Sequence, residues 1–118
     1  PIHTQSFFRN KSSLNITAYD YANYLWEYDG FSVSVVLNYY RRDSKRTLEI
    51  LTDEGTYLVD LLKNTILYNE ELVFQSSQLS LETYTAQMQF FVEEILNRQT
   101  KFNTIVEANK ILELCLQE

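Results

Sequence analysis

The chain has 118 residues, 45% hydrophobic and 14% aromatic, which is enough apolar material for one globular domain and too much for a disordered one. Sixteen acidic against ten basic side chains give a net charge of −6, which opposes a general nucleic-acid surface. One Cys and one His exclude a disulfide framework and a soft metal site, and two glycines exclude both a dinucleotide fingerprint and a P-loop.

Residues 1 to about 75 tend to alternate apolar and polar types and are rich in β-branched and aromatic side chains, the signature of strands. Residues 2–9 predict a first strand and 16–28 a second, joined by the polar Asn10-Lys11-Ser12-Ser13. Asp29-Gly30 is the clearest turn signal in the chain, and 31–40 follows as a third strand. A polar hairpin centred on Asp43-Ser44 is expected to lead into a strand over 46–51. Asp53-Glu54-Gly55 then turns into 56–62, and a short strand over 65–68 closes the set.

Beyond the polar residues 75–78 the period lengthens to about 3.6, with Leu81, Tyr84, Met88, Phe91, Val92, Ile95 and Leu96 on one stripe. Ser80 is the expected N-cap, and 97–103 the connection to a second helix. Thr104-Ile105-Val106-Glu107 is a capping box, in which hydroxyl and carboxylate each satisfy a free backbone N–H. Strands followed by helices predict a single α+β domain over residues 1–118. It would be a mainly antiparallel, open-faced sheet with two C-terminal helices packed on one face. The uncovered face, partly apolar, is expected to meet another protein surface.

No run approaches the roughly eighteen apolar residues of a membrane span, and PIHTQSFFRN lacks the pattern of a signal peptide. A cytoplasmic location is therefore expected. The triplets Asn10-Lys11-Ser12 and Asn15-Ile16-Thr17 match the glycosylation pattern as short polar triplets do by chance. The start at Pro1 rather than Met points to an excised or processed piece.

Four stretches occur in a telling order. Ala18-Tyr19-Asp20-Tyr21-Ala22 runs to Asp29-Gly30-Phe31, and Arg46-Thr47-Leu48-Glu49-Ile50 runs to Glu54-Gly55-Thr56 and Val59-Asp60. Tyr84-Thr85-Ala86-Gln87-Met88-Gln89-Phe90-Phe91 opens the first helix, and residues 104–112 have the form S/T-x-x-E-A-x-x-x-L. Together they resemble the C-terminal part of the Gfo/Idh/MocA family of NAD(P)-dependent oxidoreductases. The resemblance implies a parent enzyme that uses NAD or NADP to oxidise or reduce a sugar or polyol derivative. This chain would form one wall of the substrate site and an oligomer interface, and would be inactive without an N-terminal Rossmann domain. The family's glycine-rich loop, its E-K-P segment and its Asp and His on a helix are all missing, and His3 does not take the family histidine's role. No catalytic, cofactor-binding or metal-binding residue is therefore assigned to this chain.

Arg41-Arg42-Asp43-Ser44-Lys45-Arg46 holds four of the ten basic residues. A guanidinium fork suits a carboxylate or phosphate, so Arg41, Arg42 and Arg46 are candidate ligands for an acidic sugar or sugar nucleotide. The alternative is a solvated hairpin tip. In the resembled family this hairpin lies near the substrate cleft. The family's matching helix tyrosine approaches the sugar, which makes Tyr84 the fourth candidate, against a plain core role in its stripe. Tyr24, Trp26 and Tyr28 share one side of a strand and are expected to pack against helices or a second subunit. Glu70-Glu71 and Glu93-Glu94 are sequence neighbours and so do not form a facing acid-base dyad. Cys115 reads as a small buried hydrophobe. The rival to the whole reading is a free-standing α+β binding or scaffold domain without catalytic activity.

Overall fold

The Asp29-Gly30 turn forms where its sequence places it: Gly30 holds φ at +90° and Tyr28 pairs with Phe31 across it. The structure, a computed structural model, describes residues 1–97 and 104–116 but not the side chain of Ser80. The turn joins β2 (Tyr21–Tyr28) to β3 (Phe31–Asn38), and β1 (His3–Arg9) pairs along the other side of β2 in an all-antiparallel sheet. A second antiparallel sheet follows, of β4 (Thr47–Leu51), β5 (Thr56–Asp60), β6 (Thr65–Tyr68) and β7 (Glu71–Gln75), in sequence order. Two helices complete the chain, α1 (Ser80–Asn97) and α2 (Ile105–Leu116).

The chain divides into two compact units. Residues 1–42 and 101–118 form the first, and 43–100 form the second. The α+β class holds, but the expected single sheet is two sheets, because β3 and β4 do not pair.

In the first unit the strand expected from residue 16 begins only at Tyr21. Asp20, 2% exposed, explains the late start. Its carboxylate accepts hydrogen bonds from the Lys11 N–H at 2.7 Å, from the Ser12 N–H at 2.9 Å and from the Ser12 hydroxyl. Its carbonyl accepts the Tyr39 N–H at 2.8 Å. A buried carboxylate must be hydrogen-bonded, and satisfying this one folds residues 11–20 back on themselves in place of a strand extension. On one face of the sheet Tyr24 contacts Phe8 edge-on and Trp26 at a tilt, with ring centroids 5.4 Å and 5.6 Å away. Its hydroxyl donates to the Cys115 carbonyl at 3.2 Å, an acceptor in the last turn of α2 that has no intrahelical partner. Of the aromatic row expected to pack against helices or a second subunit, Tyr24 meets α2 through this one hydrogen bond. Cys115 itself is half-buried, and Trp26 Nε1 is a buried donor without an acceptor among the described residues.

In the second unit β4 and β5 meet at the expected turn, where Thr52 and Gly55 exchange backbone hydrogen bonds of 2.9 and 3.3 Å. A Cβ at Gly55 would lie 2.6 Å from the Tyr68 ring and 2.7 Å from the Asn69 amide, so only glycine fits without movement. The unforeseen strand β7 arises from a two-residue turn, Asn69-Glu70, with φ of 46° and 70° at its two positions. That is the positive-φ pattern of a type I′ hairpin, written without the usual glycine.

Both helices form where the 3.6 period and the capping box place them. Thr104 and Glu107 make the reciprocal bonds, at 2.8 Å and 3.2 Å. At α1 the Glu82 carboxylate accepts the Leu79 N–H at 2.7 Å. The expected Ser80 cap and the connection at 98–103 fall outside the described side chains and residues. Neither helix lays its apolar stripe on a sheet as expected. The stripe of α1 stays exposed from Leu81 to Leu96, and α2 has no buried residue and is partly covered only at Leu114 and Cys115. Periodicity decides which residues share a side, not what covers that side.

Candidate functional site

The basic segment is a link between the two units rather than a hairpin. Arg41 and Arg42 end the first unit, Arg46 belongs to the second, and all three side chains are exposed. Tyr40 N–H donates to Asn38 Oδ1 at 3.1 Å, which starts the departure from β3, and the Arg46 carbonyl accepts the Leu61 N–H at 2.9 Å. Arg41 and Asp43 are each engaged in interactions of their own. Tyr84 lies on α1 and is 68% exposed, so the plain core role is not what the structure gives it. Its hydroxyl is accessible to a ligand or a partner.

The registers of the second sheet place Leu48, Ile50, Tyr57, Val59, Ile66 and Phe74 on one face. Ile50 is 44% exposed and Phe74 51%, although both lie in paired strands. Val59 and Ile66 between them are half-buried, so the face is partly open along its whole width. The sequence points to an open face on the second and third strands, whereas the more uniformly apolar face is in this sheet. Alternation along β4 and β5 carries that signal, but β7 and its turn had to be placed before Phe74 joined the row.

The opposite face of the same sheet holds a shallow depression of about 460 Å³, with Leu58 and Leu67 among its lining and Glu49, Thr56, Asn69 and Glu70 around them. Asn69 Oδ1 is occupied by the Thr56 N–H at 2.9 Å. Two carboxylates and a threonine beside leucines suit the hydroxyl groups of an uncharged polyol better than an anion.

Among the described residues no three His, Cys, Asp or Glu side chains converge on a metal position. Of the carboxylates, Asp60 lies below its usual range because it accepts the Lys63 N–H, and further because it accepts the Leu62 N–H and faces the Lys63 ammonium at 3.5 Å, while burial opposes them. Those contacts close the turn after β5. No helix among the described residues is long and apolar enough to cross a membrane. No protein-family model, curated protein or solved structure matches the chain.

Proposed function

We propose that this chain is the substrate-side and assembly-forming part of a cytoplasmic NAD(P)-dependent oxidoreductase resembling the Gfo/Idh/MocA family, acting on a sugar or polyol derivative. The observation that carries the reading is the half-exposed apolar face of β4–β7, which a partner surface would cover. The order of the four sequence stretches supports it. In this reading the Rossmann domain of the parent supplies cofactor and catalytic base, and this chain holds and orients substrate. Arg41, Arg42 or Arg46 attracts its acidic group, and Tyr84 is the candidate for binding a hydroxyl. The open face joins two copies, since a two-fold dimer is the commonest closed assembly for a self-complementary surface.

Two measurements test this. The gene upstream of codon 1 should encode a strand followed by G-x-G-x-x-G, then E-K-P; a start codon immediately before Pro1 would leave the free-standing binding domain as the better account. In the parent enzyme, Ala at Arg41, Arg42 or Arg46 should raise KM for an acidic sugar about tenfold in at least one variant with kcat little changed. Unchanged KM in all three would remove the anion role.

A further inference from the structure

At the end of β1 two cations gather on one aromatic ring. The Arg9 guanidinium carbon lies 4.2 Å and the Lys11 ammonium 5.5 Å from the Phe7 ring centroid. Phe7 is 42% exposed, and Tyr21 meets it edge-on at 6.3 Å. Register places Arg9 opposite Tyr21 and Phe7 opposite Asn23, so this end of the sheet face presents amide, phenol and two cations. The arrangement is held in place rather than left to chance. Arg9 donates to the Phe8 carbonyl at 2.7 Å, and Lys11 sits on the loop that Asp20 ties down through the Lys11 and Ser12 N–H groups. Asp20 does not neutralise the pair. Its carboxylate is consumed by those backbone groups and the Ser12 hydroxyl, and no cation contributes to its acidity. Two like charges beside one ring raise the local positive potential, which favours a doubly charged anion over a singly charged one.

We propose that Arg9 at the end of β1 and Lys11 on the Asp20-anchored loop, both beside Phe7, form a binding site for the phosphate group of a small phosphomonoester. Two cations match a dianion better than a single carboxylate does, and the neighbouring Asn23 and Tyr21 add neutral donors for the rest of such a molecule. The site is separate from the 41–46 link and does not depend on the oxidoreductase reading.

The test is an NMR titration of the ¹⁵N-labelled chain with inorganic phosphate at pH 7.5 and constant ionic strength, with acetate as the monoanion. Saturable shifts are expected at residues 7–12, with Arg9→Gln and Lys11→Gln each weakening binding about five- to tenfold. Arg42→Ala should leave it unchanged, and spectra of the variants away from residues 7–12 should overlay on the parent, showing that the fold is kept. Three results would overturn the site: shifts that never saturate, equal affinity for acetate, or undiminished phosphate binding in the Arg9→Gln/Lys11→Gln double variant. The last two would leave the cations as guards of the exposed edge of β1.

Discussion

The two units use the same sequence grammar and reach different ends. In the first, β1–β3 bury Asp20, Ala22 and Tyr24, and the last turn of α2 closes over the Tyr24 hydroxyl. In the second, four paired strands leave every described residue at least partly exposed, including a face of leucine, isoleucine and aromatic side chains. Alternation builds a sheet in both cases. Only cover turns a sheet into a core, and the second sheet has less of it than the first.

The first unit is most vulnerable at Tyr24. Tyr24→Ala removes a buried ring, its contacts with Phe8 and Trp26 and the tie to Cys115, at a cost of about 3–5 kcal/mol in urea unfolding of the first unit. Burial pushes the Tyr24 hydroxyl up from its ordinary value, and the Cys115 thiol adds to the shift, so the hydroxyl stays a donor at all working pH values.

Acid should act on the same unit through Asp20. Burial pushes its carboxyl up, but the hydrogen bonds from the Ser12 hydroxyl and the Lys11 and Ser12 N–H groups outweigh that and hold it below its ordinary value. A lowered folded pKa stabilises the protein fully above the unfolded value, about 3.9, and this contribution is lost as pH falls through the folded value. Protection of the Lys11, Ser12 and Tyr39 amides against exchange, relative to the intrinsic rate at each pH, should therefore fall below about pH 4. In Asp20→Asn the same amides should exchange faster at pH 7 and lose that pH dependence; a pH response identical to the parent would show that Asp20 does not anchor the loop.

Gly55 probes the second unit in the same way, as a tight contact inside the open sheet. Gly55→Ala forces the Tyr68 ring, fixed by its 2.8 Å bond to the Glu54 carbonyl, to move. A loss of about 1–3 kcal/mol is expected, confined to amides of β4–β6 in hydrogen exchange. An unchanged exchange pattern would show that the turn relaxes freely.

These details mark how far the sequence reaches. The Asp29-Gly30 hairpin, the Asp53-Glu54-Gly55 turn and the Thr104 capping box were legible because each is local and its residues have one dominant use. The β6–β7 hairpin was not, since Asn69-Glu70 takes positive φ without the glycine that announces it. Nor was the role of Asp20, because its partners lie eight and nine residues away and a carboxylate on a strand pattern reads as solvated. The 41–46 segment was legible as a charge cluster but not as a link between units, which depends on β3 and β4 failing to pair. Arg9 and Lys11 escaped for a similar reason: their shared ring is defined by side-chain geometry that spacing alone does not specify.

The smallest expected effect on stability carries the largest consequence for assembly. Ile50→Lys alters a side chain on the bare face and should shift the unfolding free energy of the chain by no more than about 0.5 kcal/mol. Sedimentation equilibrium of the parent and of Ile50→Lys over a wide concentration range asks whether the β4–β7 face is a contact surface. The parent should associate with rising concentration, and the variant should stay monomeric with its fold intact. A parent that remains monomeric throughout, or a variant that associates as strongly as the parent, would show that the face is not one.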